Sequence, residues 1–324
     1  MKAAFYTTQG PAADSIQIGD QPTPKLTHGE VLVRLKSSGT NPSDVKSRAG
    51  SRPMSYPTII PHSDGAGTIE AVGAGVDSSR VGQNVWLWNA QWQRPFGTAA
   101  EYISIASEQA VDLPNTTSFN EAACLGIPAM TAYRCVFADG PVEGKKILVA
   151  GGAGSVARYA IQMAKAGGAE VITTISSNEK ATYARAAGAD HTVNYRDVNA
   201  AEQILDLTDG GTHRAIELEL GININLLTEV MHPNGTIAAY GSAQSFTPEI
   251  PFVQMMFKGL TLRAILVYIL TDQARTETLN GLNQMLAEGL LTHAIGATFS
   301  LAETAKAHEL VESGAKLGTV VIQI

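Results

Sequence analysis

Two different patterns of apolar and polar positions divide the chain. In the first third, short β-branched and aromatic runs lie at 30–36, 85–88 and 101–105, and a glycine-rich stretch covers 65–75. Alternating runs of this length between glycines are typical of strands joined by tight turns. We therefore predict a β-rich module here, with antiparallel or barrel-like pairing.

The pattern changes near residue 121. A stretch of helical composition at 121–137, interrupted by Pro128, is followed by apolar runs that alternate with amphipathic segments. The predicted strands are 146–150, 170–174, 191–194, 215–217, 235–240 and 260–266. The predicted helices between them are 156–166, 179–187, 200–207 and 223–231. Six strands joined by helices predict a doubly wound, six-stranded parallel sheet.

The tail continues beyond this complete sheet. It contains two helical patterns, at 276–288 and 302–313, and a terminal strand at 318–324. We infer that the chain returns to its first domain. The predicted organisation is a discontinuous β-rich domain, residues 1–122 and 268–324, and a doubly wound domain, residues 123–267.

The most specific motif is a glycine-rich turn between the strand at 146–150 and the helix at 156–166. Gly152, Gly154 and Ala157 fit the pattern G-x-G-x-x-G/A, and Ala153, Ser155 and Val156 complete the turn. Such a turn lets the backbone approach a pyrophosphate, which then meets the N–H groups of the helix start. The motif predicts dinucleotide binding.

The end of the second strand of this unit indicates which nicotinamide cofactor is bound. NAD sites usually carry an acid about 20 residues past the glycines, whereas Ser176, Ser177 and Lys180 occupy this segment and Glu179 lies on the next helix. Hydroxyls and an amine favour a 2′-phosphate, so we predict NADPH over NADH. A purely structural alternative has Ser177 capping the helix and Lys180 in solvent, and the two can coexist.

Composition excludes several classes of protein. The 324 residues carry a net charge of −7 with only 23 basic residues, so nucleic acid is not expected as the main partner. Two cysteines, Cys124 and Cys135, cannot form a disulfide framework or a four-cysteine zinc site. Since we find no signal peptide and no apolar run of ~18 residues, we expect a cytoplasmic protein without a membrane span.

Several segments together carry a family resemblance. They are Gly-Thr-Asn-Pro-Ser-Asp at 39–44, Ile-Pro-His-Ser-Asp-Gly-Ala-Gly at 60–67, Gly-Ile-Pro-Ala-Met-Thr-Ala-Tyr-Arg at 126–134, and the glycine-rich turn. The chain resembles the zinc-independent, zeta-crystallin-like NADPH:quinone oxidoreductases of the medium-chain dehydrogenase/reductase superfamily. The resemblance implies a GroES-like first domain, a Rossmann second domain and a homodimer.

The resemblance also shows what this chain lacks. Asn41, Ser63 and Ile127 stand where zinc-dependent relatives have their catalytic ligands, and these residues cannot form a Cys/His zinc site. His62 misses the ligand position by one residue and is more typical of a turn or cleft histidine than of a ligand. We therefore expect no metal site. Without zinc, alcohol oxidation is not expected, while reduction of an electrophilic quinone or enone by NADPH remains feasible.

Further site residues follow from the resemblance. It places Asn41 and Thr131 near the nicotinamide and substrate, Tyr195 near the adenosine end, and Tyr240, Gly241 and Ser242 at the carboxyl end of the sheet. Two roles stay open: Asn41 could instead form an Asx-turn before Pro42, and Thr131 could simply be buried in a helix.

At two positions the chain departs from the family pattern, so the family's residue roles are not assigned there. Lys46 replaces a tyrosine and Thr319 replaces a lysine, so no proton donor is assigned and one cofactor contact is in doubt. Tyr56, Trp88 and Trp92 are either cleft aromatics or ordinary packing residues.

The sequence supports three hypotheses about function. The first is zinc-independent, NADPH-dependent reduction of quinones. The second is reduction of α,β-unsaturated ketones, aldehydes or enoyl thioesters, and the third is an NADPH-binding structural or regulatory role. The sequence leaves open whether electrons are transferred as hydride or singly.

Overall fold

The computed structural model describes all 324 residues. The chain forms two compact units, one made of Met1–Ile127 and His293–Ile324 and the other of Pro128–Thr292. None of the helices combines the length and the apolar character that crossing a membrane requires.

Fifteen strands and eleven α-helices make up the two units. The strands are β1 Lys2–Phe5, β2 Gln17–Asp20, β3 Glu30–Thr40, β4 Asp64–Val72, β5 Asn84–Leu87, β6 Tyr102–Ala106, β7 Ala110–Asp112, β8 Lys146–Val149, β9 Glu170–Ile175, β10 His191–Asn194, β11 Thr212–Glu217, β12 Met231–Ala239, β13 Thr261–Ala264, β14 Ile295–Ser300 and β15 Thr319–Gln323. The helices are α1 Ala12–Ser15, α2 Pro42–Ala49, α3 Phe119–Ala122, α4 Gly126–Phe137, α5 Ser155–Ala166, α6 Asn178–Ala186, α7 Ala200–Leu207, α8 Leu220–Val230, α9 Phe252–Phe257, α10 Asp272–Ala287 and α11 Thr304–Ser313.

The first unit contains a seven-stranded sheet in the order β14-β15-β3-β4-β5-β7, with β6 pairing to β3. All pairs are antiparallel except β14 with β15. Alternate residues of β3, namely Val31, Val33 and Leu35, point into a buried apolar core with Val85 and Leu87 of β5. The predicted β-rich, GroES-like module is confirmed, although β14 was not predicted.

The second unit contains a six-stranded sheet in the order β10-β9-β8-β11-β12-β13, and every pair in it is parallel. The predicted doubly wound sheet is therefore confirmed. Its strand order reverses between β8 and β11. Ligands of open parallel sheets bind at the carboxyl ends of the strands beside such a reversal.

Pro128 does not interrupt a helix as the sequence suggested. The break lies at residues 123–125, between α3 and α4, and Pro128 falls in the first turn of α4. Proline is tolerated in a first turn because the N–H groups there have no partner within the helix.

The second domain boundary lies later than predicted. The sequence pattern predicts a boundary after residue 267, whereas the compact unit runs to Thr292 and includes α10. Contacts within this unit explain the difference: Arg134 pairs with Glu277 at 3.5 Å, and the Thr292 N–H donates to Gln162 Oε1 at 2.7 Å. The first boundary lies at 127, a few residues beyond the predicted 122.

Candidate functional site

The glycine-rich turn at 151–154 connects β8 to α5 and packs on the end of β9. Gly151 has φ +65°, so it supplies the left-handed residue of the turn. At Gly152, an added Cβ would lie 2.3 Å from Thr173 Oγ1. Glycine at 152 is thus required by the close approach of β9 and not by a left-handed backbone conformation. The buried Ala157 allows α5 to pack closely in the same way.

The N-terminus of α5 is open. Its N-cap residue Gly154 is exposed and provides no side-chain cap. The first N–H groups of a helix lack partners within the helix and carry the positive end of its dipole. Ala153, Ser155 and Val156 are partly exposed around this turn. The arrangement is suited to binding an anion.

Polar groups surround the end of β9 as predicted from the sequence. Ser177 caps α6, since its side chain accepts the Lys180 N–H at 3.3 Å. Lys180 Nζ donates to Ser176 Oγ at 3.1 Å. The capping alternative therefore holds for Ser177, while Ser176 and Lys180 form a polar pair beside it.

Tyr195 follows β10, the next strand along this edge of the sheet. Its N–H donates to Ile175 O at 3.1 Å, and its side chain is 49% exposed. The Arg196 guanidinium lies 5.8 Å from the centre of the Tyr195 ring. An exposed ring with a neighbouring cation can stack on a heteroaromatic ligand.

Tyr240, Gly241 and Ser242 directly follow β12. The Tyr240 N–H donates to Glu217 O at 2.9 Å, which continues the pairing of β12 with β11. Burial raises the pKa of the Tyr240 hydroxyl well above its ordinary value. Ser242 Oγ accepts the Gly221 N–H at 3.0 Å. The structure thus brings all predicted cofactor residues to the carboxyl edge of one sheet.

In the first unit, Asn41 lies between two buried acids. It precedes α2 as the N-cap, and its backbone N–H donates to Asp44 Oδ2 at 2.8 Å. Its side-chain Nδ2 donates to Asp64 Oδ2 at 2.7 Å, and Asp64 Oδ1 accepts the Ile127 N–H at 2.8 Å. Asn41 is therefore both a helix cap and a side chain whose amide orientation is set by a carboxyl group.

Burial dominates the titration of these acids. It raises the pKa of Asp44 to about 7 and that of Asp64 well above its ordinary range. Hydrogen bonds from the Asn41 side chain lower both pKa values and so oppose the burial effect. No catalytic or binding role is predicted for Asp44 or Asp64 from the sequence. The signal for Asp64 was its position inside the segment 60–67, one residue past Ser63.

A directed chain of hydrogen bonds runs behind this cluster. Thr98 Oγ1 donates to the Asp64 carbonyl at 2.6 Å, so it must accept from Ser38 Oγ at 2.7 Å. Ser38 then accepts from His62 Nδ1 at 2.8 Å, and His62 Nε2 accepts from His308 Nε2 at 2.9 Å. Because a carbonyl can only accept, the whole chain has one direction, which fixes both histidine tautomers.

Both histidines are neutral and fully buried. Burial lowers the pKa of His62 to about 3 and that of His308 well below its ordinary value. His62 also has φ +78°, in the left-handed region. Its surroundings are those of a turn histidine, as we expected, and His308 was not anticipated.

The remaining predicted residues are buried or held by neighbours. Thr131 is buried on α4 in the second unit. Trp88 is buried, Tyr56 donates to Gln93 O at 2.7 Å, and Arg52 lies 5.4 Å from the centre of the Trp92 ring. For Trp88, the packing alternative therefore holds.

The residues present do not suit a catalytic zinc ion. No group of three or more His, Cys, Asp or Glu side chains is arranged to hold a metal. The positions at which the family resemblance would place zinc ligands hold the amide of Asn41, the hydroxyl of Ser63 and the alkyl side chain of Ile127. Cys124 and Cys135 are buried, which raises both thiol pKa values.

Two family models match the chain. Residues 27–115 match the alcohol dehydrogenase GroES-like domain, and residues 155–287 match the zinc-binding dehydrogenase family. A quinone oxidoreductase of Pseudomonas aeruginosa is 30% identical over 298 residues, which cover 90% of each protein.

Solved structures are similar to this chain over its whole length. An NAD-dependent alcohol dehydrogenase has a TM-score of 0.92 at 27% identity, and a mycobacterial protein in complex with NADPH has 0.89 at 26% identity. Each comparison covers 100% of both chains. Fold and site thus define a two-domain protein of the medium-chain dehydrogenase/reductase superfamily. Within that superfamily, the chain belongs to the quinone oxidoreductase family.

Proposed function

We propose that this protein is a zinc-independent, NADPH-dependent oxidoreductase that reduces quinones. The observation that carries the proposal is the open N-terminus of α5 beside the Ser176–Lys180 pair, at one edge of the parallel sheet. This edge combines a site for a pyrophosphate with a lysine and hydroxyls for a further phosphate, and β9 ends without a carboxylate.

The residues present fit a bound NADPH. A side chain at Gly154 would meet little of the protein itself, with Gly151 O at 3.3 Å, but it would cover the first turn of α5. We assign the pyrophosphate to the turn at 152–156, the 2′-phosphate to Ser176, Ser177 and Lys180, and the adenosine to Tyr195. Tyr240, Gly241 and Ser242 would receive the nicotinamide half.

NADPH supplies a hydride when bound, and the chain supplies binding and orientation. Asn41 would orient the substrate carbonyl, because its amide is fixed by Asp64 and its backbone by Asp44. Thr131 would offer a hydroxyl near the nicotinamide. Protons for the reduced quinone oxygens can come from water, so the reaction needs no dedicated acid among these residues.

The residues at 41, 63 and 127 support zinc independence, because an amide, a hydroxyl and an alkyl side chain are not the Cys/His ligands of a catalytic zinc ion. We expect the purified protein to contain substoichiometric zinc and to keep its activity in the presence of a chelator. Activity that is lost on chelation and restored by zinc would contradict this part of the proposal.

The decisive experiment compares acceptors and cofactors on the wild-type protein. We expect NADPH oxidation with a panel of benzoquinones and naphthoquinones, and a dissociation constant for NADPH at least about tenfold below that for NADH. No turnover of any quinone would refute the proposed substrate class. Equal or better binding of NADH, as the similarity to an NAD-dependent alcohol dehydrogenase would allow, would refute the cofactor preference.

Two alternatives are tested in the same assay. Turnover of cyclohexenone, an enal or an enoyl thioester without turnover of quinones would favour the second function. Tight NADPH binding without turnover of any acceptor would favour a structural or regulatory role.

We further propose a homodimer formed through the second unit. β13 is an edge strand of the parallel sheet, and an exposed apolar surface lies on and around α9. Phe252 and Phe257 of α9 are 67% and 82% exposed, and Leu262 and Leu266 are also exposed. A second copy could pair with β13 and cover these side chains. Light scattering should give twice the chain mass of 34.1 kDa, and a monomer would contradict the proposal.

A further inference from the structure

The loop after β12 contacts the rest of its unit through hydrogen bonds to the Glu219 side chain and, nearer the strand, to the start of α8. Glu219, the residue before α8, accepts two successive backbone N–H groups from this loop, one on each oxygen. The Ala243 N–H donates to Oε2 and the Gln244 N–H donates to Oε1, both at 2.9 Å. Hydrogen bonds to a carboxylate are roughly twice as strong as those between neutral groups, so these two contribute strongly to the position of the loop.

A second acid fixes the position of the first. Glu217, at the end of β11, is fully buried, and its Oε1 accepts the Glu219 N–H and the Asn223 side-chain amide. Glu217 thereby fixes the backbone of Glu219 at the start of α8, and the Glu219 side chain extends from there to the loop. Neither acid was assigned a role from the sequence.

The tip of the loop buries little apolar surface. Ala243, Gln244 and Phe246 are exposed, so burial of apolar surface contributes little to its position. The neutral contacts lie closer to the strand: the Leu220 N–H donates to Gly241 O at 3.0 Å, and Ser242 Oγ donates to Ser245 O. At Gly241 an added Cβ would lie 2.3 Å from Leu218 O, so the strand end and the acidic segment are in direct contact.

We propose that Glu219 is a positioning residue, whose carboxylate sets the loop so that Tyr240, Gly241 and Ser242 present the geometry that receives the nicotinamide half of the cofactor. This inference rests on the proposed function. Because the Ala243 and Gln244 N–H groups already donate to a carboxylate, they are not available to bind a phosphate. The contribution of the loop is therefore confined to the nicotinamide end.

The test uses a variant that changes one acceptor. In Glu219→Gln the side chain has a single acceptor oxygen, so one of the two loop N–H groups faces an amide donor. We expect the dissociation constant for NADPH to rise about tenfold. Binding of adenosine 2′,5′-bisphosphate, which lacks the nicotinamide, should stay within about twofold of wild type. Glu219→Asp keeps the charge and should recover part of the NADPH affinity.

Glu229→Gln is the matched control, because it makes the same change at an exposed position of the same helix and should leave both affinities unchanged. Wild-type NADPH affinity in Glu219→Gln would overturn the inference, and so would an equal loss of both ligands, which would indicate general disruption of the unit. A wild-type protein that does not bind NADPH would instead refute the proposed function, and this inference with it.

Discussion

Replacing Asn41 by aspartate is expected to lower the free energy of unfolding by about 3 kcal/mol or more at pH 8, and to reduce quinone turnover about 100-fold. The substitution keeps the size and shape of the side chain. It turns the donor that faces Asp64 at 2.7 Å into a third buried carboxyl group beside Asp64 and Asp44. Turnover falls because the side chain can no longer orient a substrate carbonyl.

The loss of stability in this variant should depend on pH. Burial already raises the pKa of Asp44 to about 7 and that of Asp64 further above its ordinary range, and removal of the Asn41 donor raises them again. The folded variant then holds protons that the unfolded chain releases near pH 4. Its stability is therefore lost as pH rises, so the difference from wild type should shrink toward pH 5.

Denaturant unfolding at pH 5, 6.5 and 8, together with steady-state kinetics, would measure both effects. Asn115→Asp is the control, because it makes the same change at an exposed position. Asn41→Ser keeps a donor and should lose less activity than the aspartate variant. A destabilisation that does not change with pH would contradict the proposed contact between carboxyl groups.

Replacing Ser176 by aspartate is expected to weaken NADPH binding about 100-fold while NADH binding is retained or improved, which reverses the cofactor preference. A carboxylate at the end of β9 would repel a 2′-phosphate and could accept from a ribose hydroxyl. It would also pair with Lys180, whose Nζ lies 3.1 Å from Ser176 Oγ, and withdraw that amine from the phosphate. Loss of one charged contact and gain of one repulsion together account for about two powers of ten.

Fluorescence titration with each nucleotide would measure the reversal. Thr182→Asp is the matched control, since it adds the same charge at an exposed position of α6 and should change neither affinity much. If Ser176→Asp still prefers NADPH, the 2′-phosphate does not bind at the end of β9.

The sequence predicted the second unit more completely than the first. β10 and α7 were predicted with their observed bounds, because clear turn residues flank their short apolar patterns. The order of the elements, together with the handedness of strand–helix–strand connections, leaves few possible sheets. The edge at which the glycine-rich turn, Ser176, Tyr195 and Tyr240 meet follows from that sheet.

What could not be predicted depends on contacts between distant positions. α2 carries a polar pattern, and its Arg48 is fully buried because it donates to Gly10 O and pairs with Glu312, 264 residues further along the chain. Glu219 and its loop partners are separated by 24 and 25 residues without any local motif. Asp64 and His308 likewise acquire their surroundings only when β4 and α11 pack into the first unit.

The buried acid and histidine of the first unit exchange protons with solvent in opposite directions. Folding raises the pKa of Asp44 from 3.8 to about 7 and lowers that of His62 from 6.5 to about 3. Between about pH 4 and 6.5, unfolding therefore releases one proton from Asp44 and adds one to His62, so the number of bound protons stays constant. By linkage, this pair gives the free energy of unfolding no slope in that range.

Outside this range, the free energy of unfolding again depends on pH. Above pH 6.5, Asp44 still changes its protonation on unfolding but His62 does not, so the contribution of this pair to stability falls as pH rises through about 7. Below about pH 4 only His62 does so, and stability falls as pH drops toward 3. Burial shifts the pKa values of Asp64 and His308 in the same two directions, upward for the acid and downward for the histidine. The joint contribution of Asp44 and His62 to the free energy of unfolding is therefore constant between about pH 4 and 6.5.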